Sequence, residues 1–75
     1  MPVVVRLRYC SILMFFEDHN PPHFHVRTIE SEAQLRISDL SLMEGEVDRR
    51  ALREARAWAE GNRDELMRIW RLYSE

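Results

Sequence analysis

The hydrophobic pattern of this chain changes its period once along its 75 residues. Up to about residue 43, apolar and polar residues alternate in short runs, which is typical of β-strands. From Asp48 onward, apolar residues recur every three to four positions, which indicates amphipathic helices. A chain of this size can bury one small core. We therefore predict a single α+β domain over residues 1–75, with a three- or four-stranded, mainly antiparallel meander followed by two C-terminal helices packed on one face.

The predicted strand segments lie within residues 3–9 and 12–16, which count as one strand with a bulge, and within residues 23–29 and 33–37. A short fourth strand is expected before Gly45. The connection at Cys10-Ser11 has no strong turn signal, so we interpret it as a bulge. A turn at Glu30-Ser31 would pair His25 with Arg36. It would also place a set of polar side chains on one face of the sheet, namely His23, His25, Arg27, Gln34 and Arg36. A slip of one residue would bury the histidines instead.

In the helical third, sequence signals mark the start and the end of the first helix. Asp48 is the expected N-cap, and Gly61 is expected to supply a left-handed residue at the C-terminal end. Trp58 and Trp70 lie on apolar stripes and are assigned to the core. A second stripe is assigned to a solvated helix face that pairs with nearby glutamates, and it consists of Arg49, Arg53 and Arg56.

The segment from residue 17 to residue 25 holds two carboxylates and all three histidines of the chain. These residues are Glu17, Asp18, His19, His23 and His25. Pro21 and Pro22 stiffen the loop, and His23 and His25, two positions apart on a predicted strand, project to the same side. We expect the three imidazoles to gather on the outward side of the sheet, with Arg27 beside them.

Two chemical interpretations and a structural one remain open for this segment. The histidines could bind a divalent metal ion, although Arg27 and Arg36 would repel a cation. Alternatively, the histidines could transfer protons near neutral pH while the arginines hold the phosphate of an RNA substrate, without a cofactor. In the structural interpretation, the loop residues hydrogen-bond a proline turn and the strand histidines satisfy one another or the backbone.

The candidate site residues follow from the acid–base interpretation. The catalytic candidates are His19, His23, His25 and Asp18, and the binding candidates are Arg27, Arg36 and Glu17. One of the two carboxylates would orient an imidazole. No metal ligand is assigned and no cofactor is expected.

Composition limits the partners and the compartment. The net charge of -2 argues against strong non-specific binding of nucleic acid but leaves room for a local basic site, and all 11 basic residues are arginine. The single cysteine, Cys10, cannot form an intramolecular disulfide, and the first residues lack the pattern of a secretory signal, so we expect a cytoplasmic protein. The longest apolar run spans five residues, whereas a membrane span needs about 20, so no membrane partner is expected.

The run D-H-N-P-P-H-F-H-V from Asp18 to Val26 is followed by a hairpin, a Leu-x-x-Gly region and a helical tail that contains Trp58 and Trp70. This arrangement resembles the small prokaryotic proteins of domain-of-unknown-function family 4160 over nearly the whole chain. The signature falls on Asp18, His19, Pro21, Pro22, His23, Phe24 and His25. Members often have glycines near the first turn and in the hairpin, where this chain has Cys10-Ser11 and Glu30-Ser31.

The resemblance implies a function through genetic arrangement, because members are often encoded beside a small partner of another uncharacterised family. That arrangement suggests a toxin–antitoxin-like module. We therefore expect a protein-binding, toxin-like component that acts through a His/Arg surface, as a homodimer or with a cognate small protein. An apolar patch at Leu13 and Phe15 is the expected partner site. The alternatives are a cofactor-free acid–base ribonuclease, with RNA as partner, and a small divalent-metal-binding protein.

Overall fold

A computed structural model describes residues 3–15 and 19–73 as five strands followed by two helices. The elements are β1 (Val3–Arg6), β2 (Ser11–Leu13), β3 (His23–Arg27), β4 (Glu32–Arg36), β5 (Leu42–Gly45), α1 (Arg49–Glu60) and α2 (Arg63–Tyr73). The strands form one antiparallel sheet in the order β1-β2-β3-β4-β5. This confirms the predicted α+β meander with two C-terminal helices, although the sheet has five strands rather than three or four. Neither helix is long and apolar enough to cross a bilayer.

The additional strand arises from a turn that the sequence did not reveal. The Leu7 N–H donates to the Cys10 carbonyl oxygen at 2.8 Å, which closes a tight turn at Arg8 and Tyr9. The predicted bulge at Cys10-Ser11 is therefore wrong, and the irregularity lies within β1 instead. Glu54 of α1 stabilises the turn, because its carboxylate accepts the backbone N–H groups of Arg8 and Tyr9 at 2.9 Å and 2.8 Å. Local sequence could not show this contact, since the two partners lie more than 40 residues apart.

The β3–β4 hairpin turns one residue earlier than predicted. Thr28 donates its backbone N–H to the Ser31 carbonyl oxygen at 2.9 Å, so Ile29 and Glu30 form the turn. The Thr28 hydroxyl also accepts the Ser31 N–H at 3.0 Å, which stabilises this position. The pairing consequently shifts by two residues, and His25 lies opposite Gln34 rather than Arg36. A shift of two preserves the face of every side chain.

The core lies between one face of the sheet and the two helices. The buried side chains from the sheet side are Cys10, Ile12, Met14, Phe24, Val26, Leu35, Ile37 and Leu40. The helices contribute Ala51, Ala55, Ala59, Leu66 and Trp70. Small alanine side chains on α1 allow the helix to lie close to the strands. Burial of each large apolar side chain contributes about 1.5–3 kcal/mol to folding.

The ends of α1 agree only in part with the sequence signals. The Asp48 carboxylate accepts the Ala51 N–H at 2.9 Å, which confirms the predicted N-cap. Gly61 has φ -87°, so the predicted left-handed residue is wrong. The helix ends instead with the Gly61 N–H donating to the Ala59 carbonyl oxygen, and the Asn62 amide donates to the Trp58 carbonyl oxygen at 2.7 Å.

Arg56 lies on an exposed helix face, as predicted, and its side chain also stabilises the connection between β4 and β5. Leu40 has φ 60°, a left-handed conformation that costs a branched residue roughly 1–2 kcal/mol. The Arg56 Nε–H donates to the Leu40 carbonyl oxygen at 3.0 Å, and the Leu40 side chain is buried in the core. The predicted stripe is solvated, since Arg49, Arg53 and Arg56 are all exposed, but Arg56 donates to a backbone carbonyl oxygen rather than to a glutamate.

Gly45 and Gly61 make a matched pair for a test of backbone strain. Gly45 has φ 79°, and an added Cβ would overlap the Glu32 carbonyl oxygen of the neighbouring strand. We expect Gly45→Ala to lower the free energy of unfolding by about 1–3 kcal/mol in urea denaturation. Gly61→Ala should change it by less than about 0.5 kcal/mol, because the nearest atom to the new Cβ would be 3.9 Å away. Equal effects of the two substitutions would contradict this account of β5.

Candidate functional site

The central strand β3 separates the apolar side chains from the polar ones. Phe24 and Val26 point into the core, so His23, His25 and Arg27 lie on the opposite side of the sheet. We call this side the histidine face, and its neighbouring members across the paired strands are Leu13, Glu32, Gln34 and Arg36. The two imidazoles are not open to solvent, since the exposed fractions of His23 and His25 are 5% and 7%.

His25 belongs to a closed ring of side-chain contacts. Its Nδ1–H donates to Glu32 Oε2 at 2.9 Å, and the Arg27 Nε–H donates to Glu32 Oε1 at 3.1 Å. The Phe15 ring meets His25 edge-on with 4.6 Å between ring centroids. The Arg27 guanidinium lies 6.0 Å from the Phe15 centroid and completes the ring. The imidazole and the guanidinium are therefore held in a defined position by one carboxylate and one aromatic ring.

Glu32 is a carboxylate that orients the His25 imidazole, a role that the sequence analysis expected of Asp18 or Glu17. Those two candidates lie outside the described residues. The correct hairpin register would have revealed Glu32, because it pairs directly with Arg27 and lies diagonally across from His25.

The environment of Glu32 keeps its carboxylate ionised at neutral pH. Partial burial raises the pKa, but hydrogen bonds and positive charge from His25 and Arg27 lower it further, so the pKa lies below the ordinary value of 4.5. An ionised carboxylate only accepts hydrogen bonds, so Nδ1 of His25 carries the proton in this contact.

Nδ1 of His23 is a donor as well, to a different partner. Its Nδ1–H donates to the Pro21 carbonyl oxygen at 2.8 Å, within the proline segment that contains a cis Asn20–Pro21 bond. The ring centroid of His23 lies 5.3 Å from that of His25 and 5.2 Å from that of Trp70. The structure therefore brings two of the three predicted histidines together, with Nδ1 acting as donor in both.

The remaining candidates are placed differently. His19 is exposed in the segment before the cis proline bond. Within residues 3–15 and 19–73, no three His, Cys, Asp or Glu side chains are arranged to hold a metal ion. Arg36 pairs with His23 across the strands, but its guanidinium contacts Asp39 at 3.5 Å and the Ser41 hydroxyl at 3.2 Å. Of the predicted binding arginines, only Arg27 contacts the histidine network.

The apolar patch predicted at Leu13 and Phe15 is not present as an exposed surface. Leu13 is buried beside His25, its partner in the pairing of β2 and β3, and Phe15 is half-buried against the same imidazole. The large apolar side chains that are exposed in the described residues lie elsewhere, at Tyr9, Ile29, Leu42 and Leu72.

The Cys10 thiol is a weak nucleophile. Burial raises the pKa of this thiol to about 12, with further contributions from the hydrogen bond to Glu54 and from the negative charges of Glu54 and Asp48. The thiol donates toward the Ala51 carbonyl oxygen and the Glu54 carboxylate. A thiol that stays protonated is a poor nucleophile, so Cys10 is part of the scaffold.

Comparison with known proteins supplies a family but no characterised relative. A family model described as "Domain of unknown function (DUF4160)" matches residues 10–71 of the 75-residue chain. No curated protein and no solved structure matches the chain.

The lowered pKa of Glu32 makes its contribution to stability depend on pH. Folding favours the ionised carboxylate, so this contribution is complete above pH 4.5 and disappears as the pH falls through the lower native pKa. We expect Glu32→Gln to lower the free energy of unfolding at pH 7 by about 1 kcal/mol, a modest value because 39% of the side chain is exposed to solvent. The difference from the wild type should shrink in acid. A difference that is constant between pH 7 and pH 3 in urea titrations would contradict the assignment.

Proposed function

The chain belongs to the DUF4160 family, and we propose that it is the protein-binding, toxin-like component of a two-gene module. The family resemblance suggests the module, and an open edge of the sheet supports partner binding. β1 is an outer strand, and among the described residues it pairs only with β2. Its outward N–H and C=O groups are therefore available to a further strand.

An apolar groove runs beside this edge. It has a volume of about 410 Å³ and lies between β1 and the two helices. We call it the β1 groove, and the residues that give it its apolar character are Val3, Val4, Val5, Trp58, Ile69 and Leu72. The Glu65–Arg68 ion pair lines it as well, so the groove combines an apolar centre with polar side chains, as protein interfaces do. This groove is the observation that carries the proposal.

The occupant that fits is an extended segment of the cognate small protein. A strand added to β1 would form main-chain hydrogen bonds along the edge, while alternate side chains would enter the groove. The β1 groove is lined by neither Arg27 nor a histidine, so it does not overlap these side chains of the histidine face. A partner in the groove would therefore leave the exposed Arg27, which contacts the histidine network, available to act on the target.

Leu72 and Leu42 provide a matched test of this interface. Leu72 is 57% exposed in the groove, and Leu42 is 46% exposed on β5 at the opposite edge of the sheet. We expect Leu72→Asp to weaken co-purification with the tagged product of the adjacent gene at least tenfold, because a carboxylate would be buried without a partner. Leu42→Asp should leave co-purification unchanged.

Light scattering on the isolated chain distinguishes the cognate partner from the other possible occupant of the groove, a second copy of this chain. A dimer that Leu72→Asp disrupts would assign the groove to self-association and overturn the cognate-partner proposal. Co-purification that survives Leu72→Asp would remove the groove as the interface.

A second candidate function is acid–base cleavage of RNA without a cofactor. The observation in its favour is that both imidazoles donate from Nδ1, to Glu32 and to Pro21, which is the arrangement that orients histidines for proton transfer at the other ring nitrogen. Arg27 lies in the same network and would stabilise negative charge. The burial of both rings favours the protein-binding proposal.

Substitution by asparagine tests this second candidate without loss of the donors. The Asn amide reproduces the Nδ1 donor but cannot transfer a proton at neutral pH, so His23→Asn and His25→Asn should retain the contacts to Pro21 and Glu32. We expect each variant to reduce cleavage of a fluorogenic single-stranded RNA at least a hundredfold, in line with general acid–base catalysis. Circular dichroism checks the fold of each variant. Wild-type protein that fails to cleave, or variants that cleave normally, would remove this function.

A further inference from the structure

A second cleft lies at the end of the sheet where the β1–β2 and β3–β4 turns meet. It has a volume of about 350 Å³, within the range of about 300–1,000 Å³ that is typical of ligand sites. We call it the arginine cleft, and its characteristic lining residues are Arg6, Arg8, Tyr9, Arg27, Thr28 and Ile29. It is distinct from the β1 groove and from the buried imidazoles, although it shares Arg27 with the histidine network, and the docking of the partner does not use it.

The cleft concentrates positive charge. In the described residues, the guanidinium groups of Arg6 and Arg8 in the cleft, and of Arg50 beside it, have no carboxylate within ion-pair distance. Arg8 and Arg50 lie 5.4 Å and 5.1 Å from the centroid of the Tyr9 ring, so both cations are held near one aromatic group. Glu54 does not neutralise them by an ion pair, because its carboxylate binds backbone N–H groups of the turn.

The cleft also has a partly exposed aromatic ring in a fixed position. Tyr9 belongs to the turn that Glu54 holds through two backbone hydrogen bonds, one of them to the Tyr9 N–H itself. Clustered guanidinium groups around an exposed ring are typical of surfaces that bind single-stranded nucleic acid, where arginines contact phosphates and bases stack on the ring. An acidic protein segment would use the charge but would gain nothing comparable from the ring.

We propose that the arginine cleft binds a short stretch of single-stranded RNA. Arg6 and Arg8 of the cleft and the neighbouring Arg50 would contact its phosphates, and a base would lie against the exposed part of the Tyr9 ring. Because the net charge of the chain is -2, we expect only a few phosphates to be engaged. Contact with three phosphates of a single strand corresponds to a slope of about -2 in log K against log salt concentration.

Fluorescence anisotropy with a short fluorescein-labelled oligouridylate tests the proposal on the full chain without its partner. We expect binding with a salt slope of about -2. The double variant Arg8→Gln/Arg50→Gln should weaken binding at least about tenfold and reduce the slope by about 1.4. The control is Arg63→Gln/Arg71→Gln, which makes the same change of net charge on exposed positions of α2 and should bind as the wild type does.

The role of the Tyr9 ring in stacking is tested separately. Tyr9→Phe keeps the stacking surface and should bind normally, whereas Tyr9→Ala should weaken binding at least about fivefold. Circular dichroism confirms the fold, and the single variants Arg8→Gln and Arg50→Gln give the salt slopes if the double variant does not fold.

Three results would overturn the proposal. These are the absence of RNA binding, an equal loss in the α2 control, and binding of an oligoglutamate peptide as tight as that of RNA and insensitive to Tyr9→Ala. The last result would assign the cleft to an acidic protein segment. The Leu72→Asp variant should bind RNA normally, so failure of the partner proposal and failure of this one are distinguishable.

Discussion

Complete burial of Phe24 and Val26 in the central strand is the constraint on which the other features depend. Side chains alternate along a strand, so this burial determines that His23, His25 and Arg27 lie on the opposite face. A slip of one residue would place imidazoles and a guanidinium in the apolar core, at a cost of several kcal/mol. β3 is also the central strand of the five and pairs with both β2 and β4. Its orientation therefore determines which side chains of these two strands face the core.

Glu54 provides a second, long-range constraint by joining the helical layer to the first turn. Its carboxylate accepts two backbone N–H groups of the turn and also a hydrogen bond from the Cys10 thiol. Backbone donors that converge on one carboxylate give the turn a defined shape without a glycine. The position of Tyr9, and with it the geometry of the arginine cleft, therefore depends on a residue of α1.

Periodicity alone predicted the α+β class, the helical layer and the faces of the β3–β4 hairpin. The faces were correct although the register was wrong, because an error of two residues leaves the alternation of His25 and Val26 unchanged. Interactions between distant residues could not be predicted in the same way. Neither the role of Glu54 in the first turn nor the packing of Trp70 against His23 leaves a local signal. Glu32 could be identified as an orienting carboxylate only from the register of the β3–β4 hairpin, which composition does not determine.

The rate at which the Cys10 thiol is modified can report local unfolding of the chain. The thiol is buried, its pKa is raised to about 12, and it is the single cysteine of the sequence. Modification by a thiol reagent therefore requires α1 to separate from the first turn, so the labelling rate measures how often these two layers part. Mass spectrometry can follow that motion in the unmodified protein, with no engineered probe.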